Sequence, residues 1–140
     1  MEEALKEQCH EIMRSMGASE PLIEKVQLEW STRMRVVFGR TIFTVYDWTI
    51  LDPVIRLCTL AWKHCSPEER TETLTHECAH LVAEERLCTE KREEPMHGKM
   101  WKGIMVEAGY APAACGVPPE AIRKEMLEKR SKGKKRKAND

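Results

Sequence analysis

Thr75-His76-Glu77-Cys78-Ala79-His80 sets two imidazoles four residues apart, with a carboxylate directly after the first. On an α-helix, positions i and i+4 stand one above the other, so His76 and His80 can reach one metal ion. Glu77 falls beside that face, where it can take a proton from a water near the ion without becoming a ligand. A catalytic zinc site commonly has three protein ligands and an open fourth position. His97 is a candidate for the third, because it opens a stripe continued by Trp101, Ile104, Met105 and Ala108 and so points inward with an apolar face. Gly98 beside it lets the backbone come close. Glu107 is the rival, as in zinc sites built from two His and one Glu, but it lies on another face of the same segment. Glu84 shares the face of His80 yet lies about 12 Å along the helix axis from His76, which suits a supporting or solvent-facing role. His10-Glu11 imitates the start of the motif, but Arg14 stands where a second His would have to be.

These side chains need a helix, and the chain announces one. Ser66-Pro67-Glu68-Glu69 predicts an N-cap, a proline at the first helical position and a capping box. The helix is expected to run to about Leu87, with Leu74, Cys78, Leu81 and Val82 packing on the side away from the two histidines. A charged stretch, Thr89–Glu94, leads to Pro95, and a further helix is expected over about His97–Ala108, stopping at Gly109. Upstream, residues 2–16 repeat Leu5, Cys9, Ile12, Met13 and Met16 at helical spacing, with Gly17 as the stop. From Val26 the period becomes two. The runs Val26–Trp30, Met34–Phe38, Ile42–Tyr46 and Val54–Cys58 read as strands, with Gly39-Arg40 as a turn and Arg56 facing outward. No intervening segment is long enough for a crossover helix, so a small, mainly antiparallel sheet is expected. The fold class predicted is α+β: an N-terminal helix, the sheet, then the motif helix and further C-terminal helices, the last opening at Val117-Pro118-Pro119-Glu120.

The 140 residues fit one domain, 1–128, followed by a basic tail, 129–140. Lys and Arg number 23, as do Asp and Glu, but residues 121–140 hold nine basic and three acidic side chains, leaving 1–120 acidic. No apolar run is long enough to span a membrane, and the acidic N-terminus is unlike a signal peptide. The expected location is intracellular: cytoplasm or nucleoid, or the nucleus in a eukaryote. Six cysteines without a Cys-x-x-Cys pair read as small core hydrophobes in a reducing compartment, not as a zinc ribbon. In the tail, Lys129, Arg130, Lys132, Lys134, Lys135, Arg136 and Lys137 can meet nucleic-acid phosphates, or act only as a solubility aid or address signal. Aromatic residues stop at Tyr110, so the tail offers no platform for base stacking.

Four ordered segments across about residues 26–110 resemble the SprT-like zinc metalloproteases. Leu28-Glu29-Trp30-Ser31-Thr32-Arg33-Met34 is similar to the family's first strand, and Val54-Ile55-Arg56-Leu57 to the Ile-Arg-Leu-Ser strand before its active-site helix. Glu72-Thr73-Leu74-Thr75-His76-Glu77-x-x-His80 is similar to that helix, and His97-Gly98-x-x-Trp101 to the segment supplying its third ligand. The resemblance implies a compact zincin-like fold, one zinc held by His76, His80 and His97, Glu77 as general base, and protein substrates on or near DNA. Met96 stands where the family usually has Gly, and Cys58 where it usually has Ser. The zinc modules that follow the protease domain in many relatives are not expected here, which makes the basic tail the candidate for any recruitment to DNA. Against this stands a different class of reading, a non-catalytic DNA-binding or adaptor protein with a structural zinc site. A structural site has no need of a carboxylate beside an open coordination position, so Glu77 favours the enzyme.

Overall fold

The computed structural model describes residues 3–33 and 37–112. Its elements follow the order α1 (Glu3–Ser15), α2 (Glu20–Lys25), β1 (Gln27–Ser31), β2 (Gly39–Tyr46), β3 (Thr49–Cys58), α3 (Thr59–His64), α4 (Pro67–Glu90) and α5 (Lys99–Glu107). The class is α+β, with the helix, sheet and helices in the predicted order.

In α1 the four-residue repeat Leu5, Cys9 and Met13 is buried, and Gly17 ends the segment with φ +86°, a left-handed conformation that costs glycine little. A short helix the periodicity did not announce follows at once. The Ser19 hydroxyl accepts from the Leu22 amide, Pro21 occupies the first turn, and α2 buries Leu22 and Ile23.

The sheet has the order β1-β3-β2. Strands β2 and β3 form the expected antiparallel pair, but β1 lies parallel to β3, from Gln27 opposite Val54 to Ser31 opposite Cys58. A parallel pair normally needs a long crossover, usually a helix. Here β2 is the crossover: it runs back along the far edge of β3, so the chain reverses twice. The turn lies elsewhere than expected. Gly39 and Arg40 open β2 opposite Leu57 and Arg56, and a Cβ at Gly39 would come within 3.3 Å of the Arg56 carbonyl oxygen, so that glycine serves close approach. Val37 and Phe38 are not strand, and the rest of the Met34–Phe38 run lies outside the described residues. The hairpin turns instead at Asp47-Trp48, both left-handed at φ 49° and 56°, the type I′ geometry that suits a two-residue hairpin loop. Further on, Asp52 and Pro53 together oppose Phe43, with Asp52 at φ 50°. This bulge lets a proline, which has no N–H to donate, sit inside the central strand. Arg56 faces outward as expected and pairs with Glu29.

Ile50, Ile55 and Leu57 from β3 meet Leu74, Cys78, Leu81 and Val82 of α4, and α1 packs in from the other side through Cys9 and Met13. The capping box forms as read: the Ser66 hydroxyl accepts from the Glu69 amide while the Glu69 carboxylate accepts from the Ser66 amide. Helix α4 runs to Glu90, almost a turn beyond the expected end, and stops on left-handed Lys91. Its middle is buried nearly all round, because β2 and α5 cover the flank that the histidines share. Cys9, Cys58, Cys65, Cys78 and Cys88 are buried, as core cysteines should be. Cys115, the helix expected from Val117 and the tail all lie outside the described residues. No helix among the described residues is long and apolar enough to cross a membrane.

Candidate metal centre

His76 and His80 stand on consecutive turns of α4, with ring centroids 5.0 Å apart. His97 comes from the turn just before α5, not from the helix itself, because α5 begins at Lys99. Its ring lies 5.5 Å from that of His76 and 4.8 Å from that of His80. One nitrogen from each residue falls within 4.8 Å of the others, close enough for all three to hold one metal ion. Among the described residues, His97 Nε2 is the buried side-chain polar atom left without a hydrogen-bond partner. A buried acceptor without a donor is costly, and a metal ion is the partner such a nitrogen would take. The residues present therefore fit a three-histidine metal site.

The electrostatics agree. Burial pushes the His76 imidazole down to about 4, with the neighbouring His97 adding to the effect. Burial likewise brings His80 to about 3, helped by His76 and His97 and opposed by a hydrogen bond with the Met96 main chain. Both rings are neutral near pH 7, the state in which imidazole ligates.

Trp101 is the floor of the site. Its fully buried indole stacks on His80 at 5.2 Å and 15°, and meets His76 and His97 edge-on at 4.8 Å and 4.7 Å. Trp101 Nε1 donates to the His76 carbonyl oxygen at 3.2 Å, which ties α5 to α4 at the motif. The predicted apolar stripe is thus real for Trp101, Ile104 and Met105, while Ala108 is exposed.

Glu77 is 5% exposed and reaches within 4.0 Å of His76 Nε2, beside the three rings and not among the ligand nitrogens. Burial raises its carboxyl to about 7, against the lowering effects of a Thr41 hydrogen bond and the Arg40 charge. The Thr41 hydroxyl lies 3.0 Å from Glu77 Oε2 and 3.1 Å from the Glu77 carbonyl oxygen, so β2 holds both the side chain and the main chain of this residue. Thr41 had no signal in the sequence, where it fell between the turn expected at Gly39-Arg40 and the strand expected from Ile42. Glu107 is exposed and outside the cluster, and the Glu84 carboxylate accepts from the Cys88 thiol instead. Lys129, Arg130, Lys132, Lys134, Lys135, Arg136 and Lys137 lie outside the described residues.

Neither the curated proteins nor the solved structures searched contain a match to this chain. The family model of the SprT-like family does match, over residues 4–122, a span that takes in both strands quoted above, the motif helix and the His97 turn. With a metallopeptidase-like arrangement of three histidines inside that span, the chain belongs to the SprT-like family.

Proposed function

We propose that the protein is a zinc-dependent metalloendopeptidase that hydrolyses peptide bonds in proteins bound or crosslinked to DNA. The observation that carries the peptidase reading is the Glu77 carboxylate, buried and held by Thr41 beside the three imidazoles. A carboxyl near 7 is suited to accept and then return a proton at neutral pH. Zinc bound by His76, His80 and His97 would supply Lewis acidity toward water and toward the scissile carbonyl. Glu77 would take the proton of the attacking water and deliver it to the departing amine. Trp101 packs against both the His80 and His97 rings and would brace them while they hold the ion. The DNA part of the reading rests on family membership and on the charge of residues 129–137, seven of which are Lys or Arg. An acidic body is repelled by phosphate, so this run is the element that would concentrate the enzyme on DNA. On this reading its work would lie wherever DNA is kept, in a nucleoid or a nucleus.

The full chain should carry one zinc and cleave a DNA-binding protein, faster when DNA is present. Glu77→Gln should keep fold and zinc but lose cleavage by at least about a hundredfold, the usual share of a positioned general base. Truncation after Glu128 should leave zinc in place and flatten the salt dependence of DNA binding, whose log–log slope for the full chain should be about −2 to −4 for a partly engaged tail on single strands. Cleavage by the Gln variant at the wild-type rate would remove Glu77 from the reaction. Zinc binding and DNA binding without any proteolysis would establish the adaptor reading instead, and equal slopes for the two lengths would return the tail to a solvated extension.

A further inference from the structure

We propose that Glu94 is a positioning residue for the metal centre, whose carboxylate closes the turn that presents His97. The proposal rests on the three-histidine metal reading above and goes beyond it, because Glu94 belongs to a charged stretch that otherwise reads as a solvated connection.

Four observations converge on this side chain. First, the residue at the N-cap of α5 is Gly98, which has no side chain with which to cap the helix. Glu94 takes over that task from four residues upstream: its Oε1 accepts from the Met100 amide at 2.9 Å. An ionised oxygen is a strong acceptor and is favoured at a helix N-terminus. Second, the hydrogen bond spans residues 94 to 100 and so pins both ends of the short segment that contains His97. Inside it the Gly98 amide donates to the Pro95 carbonyl at 2.9 Å, which makes the segment a tight turn. Third, the carboxylate is pressed against the turn. A Cβ at Gly98 would lie 2.9 Å from Glu94 Oε1, 3.0 Å from the Pro95 oxygen and 3.1 Å from Glu94 Cβ, so glycine at this position and the inward Glu94 are one arrangement. Arg92 Nη1 holds the other carboxylate oxygen at 3.2 Å, and the Glu94 side chain is only 15% exposed. Fourth, His97 Nε2 makes no hydrogen bond of its own. With no hydrogen bond at that nitrogen, the aim of the imidazole depends on its ring packing and on the backbone turn beneath it.

The consequence is specific to one ligand. His76 and His80 are fixed by the α4 backbone, which does not need Glu94. Loss of the Glu94 acceptor should loosen only the third arm of the site. Groups hydrogen-bonded directly to a ligand commonly account for about 10–100-fold in metal affinity, and a residue acting through the backbone turn should fall at the lower end.

The test is a double-mutant cycle read as zinc affinity, by competition with a chromophoric chelator, on the full chain. Glu94→Ala should weaken zinc binding about tenfold or more in the native background and less than about twofold in the His97→Ala background. Glu94→Gln keeps an acceptor oxygen at the same reach and should restore affinity to within about threefold of native. Cobalt(II) substitution gives an independent signature: the visible spectrum of Glu94→Ala should move toward that of His97→Ala. Should the Ala variant fail to fold, Glu94→Asp carries the same cycle, because its shorter carboxylate cannot reach the Met100 amide without dragging the turn. Native affinity in a folded Glu94→Ala protein, or an equal loss in both backgrounds, would overturn the proposal. His97→Ala binding zinc as tightly as the wild type would instead overturn the three-histidine reading on which it rests.

Discussion

Thr41→Val removes one hydroxyl and almost no volume, and its effect should appear on Glu77. The Thr41 Oγ1 lies 3.0 Å from Glu77 Oε2 and 3.1 Å from the Glu77 carbonyl oxygen, and it has one proton to share between them. Burial drives the Glu77 carboxyl upward and this hydrogen bond opposes it, giving a value of about 7. A hydrogen bond to a charged group is worth roughly 1.5–3 kcal/mol. At about 1.4 kcal/mol per unit, a fully committed bond would be worth about one to two units. Sharing with the carbonyl favours the lower end, so Glu77 in the Val variant should titrate about one unit higher, near 8, and its ionised fraction at pH 7 should fall from about a half to about a tenth. Thr41→Ser keeps the donor and should stay within about half a unit of wild type. The measurement is a side-chain carboxyl carbon NMR titration of metal-free protein, with Glu77→Gln to assign the resonance. Superimposable titrations of the wild type and the Val variant would show that β2 does not hold the carboxylate.

Two further outcomes are expected. In metal-free protein, His76 and His80 sit at about 4 and about 3, below the ordinary 6.5, so unfolding takes up protons and their contribution to stability is lost as pH falls from 6.5 through those values. Glu77, raised from 4.5 to about 7, acts in the opposite sense: its contribution is present at low pH and lost as pH rises through 7. Chelated Glu77→Gln should therefore lose stability on acidification more steeply than wild type, by about 1.4 kcal/mol per pH unit between 4.5 and 6.5, and parallel urea-derived profiles would contradict this. Trp101→Phe, which deletes the indole donor to the His76 carbonyl and part of a fully buried ring, should cost about 1–3 kcal/mol in urea denaturation; a neutral effect would mean that the ring does not brace the histidines.

What could be read in advance was local. Ser66 and Glu69 satisfy each other's backbone within one turn, and His76 and His80 are neighbours by helix geometry alone, so α4 and its motif follow from a few adjacent residues. The parallel pairing of β1 with β3 depends on where β2 docks, a choice made by packing across the whole sheet. The Asp47-Trp48 turn was hidden because a tryptophan at positive φ runs against the Asn-Gly preference of such turns. Thr41 reaches Glu77 across 36 positions, and only the strand register brings them together. Glu94 was obscured for the opposite reason. Its sequence neighbours are so charged that a buried role has no compositional mark, and the decisive partner is a backbone amide.

The cost of the arrangement argues for its purpose. Inside the fold lie two imidazoles held neutral, a third whose nitrogen has no partner, and a carboxyl kept largely from water. Each is worse for stability than an apolar side chain of the same size, since burying polar groups without full compensation is unfavourable. A structural core would replace them with leucines. The Trp101 ring packed against all three histidines shows that the site is braced in this costly form and not merely tolerated at the surface. Neutral rings also need release no proton before they ligate, so a cation that binds the folded state and not the unfolded chain would recover part of the cost directly as stability. Glu77 does not share in that recovery as a ligand. Its burial beside His76 fits the proposed role, in which the carboxylate would transfer a proton next to the metal.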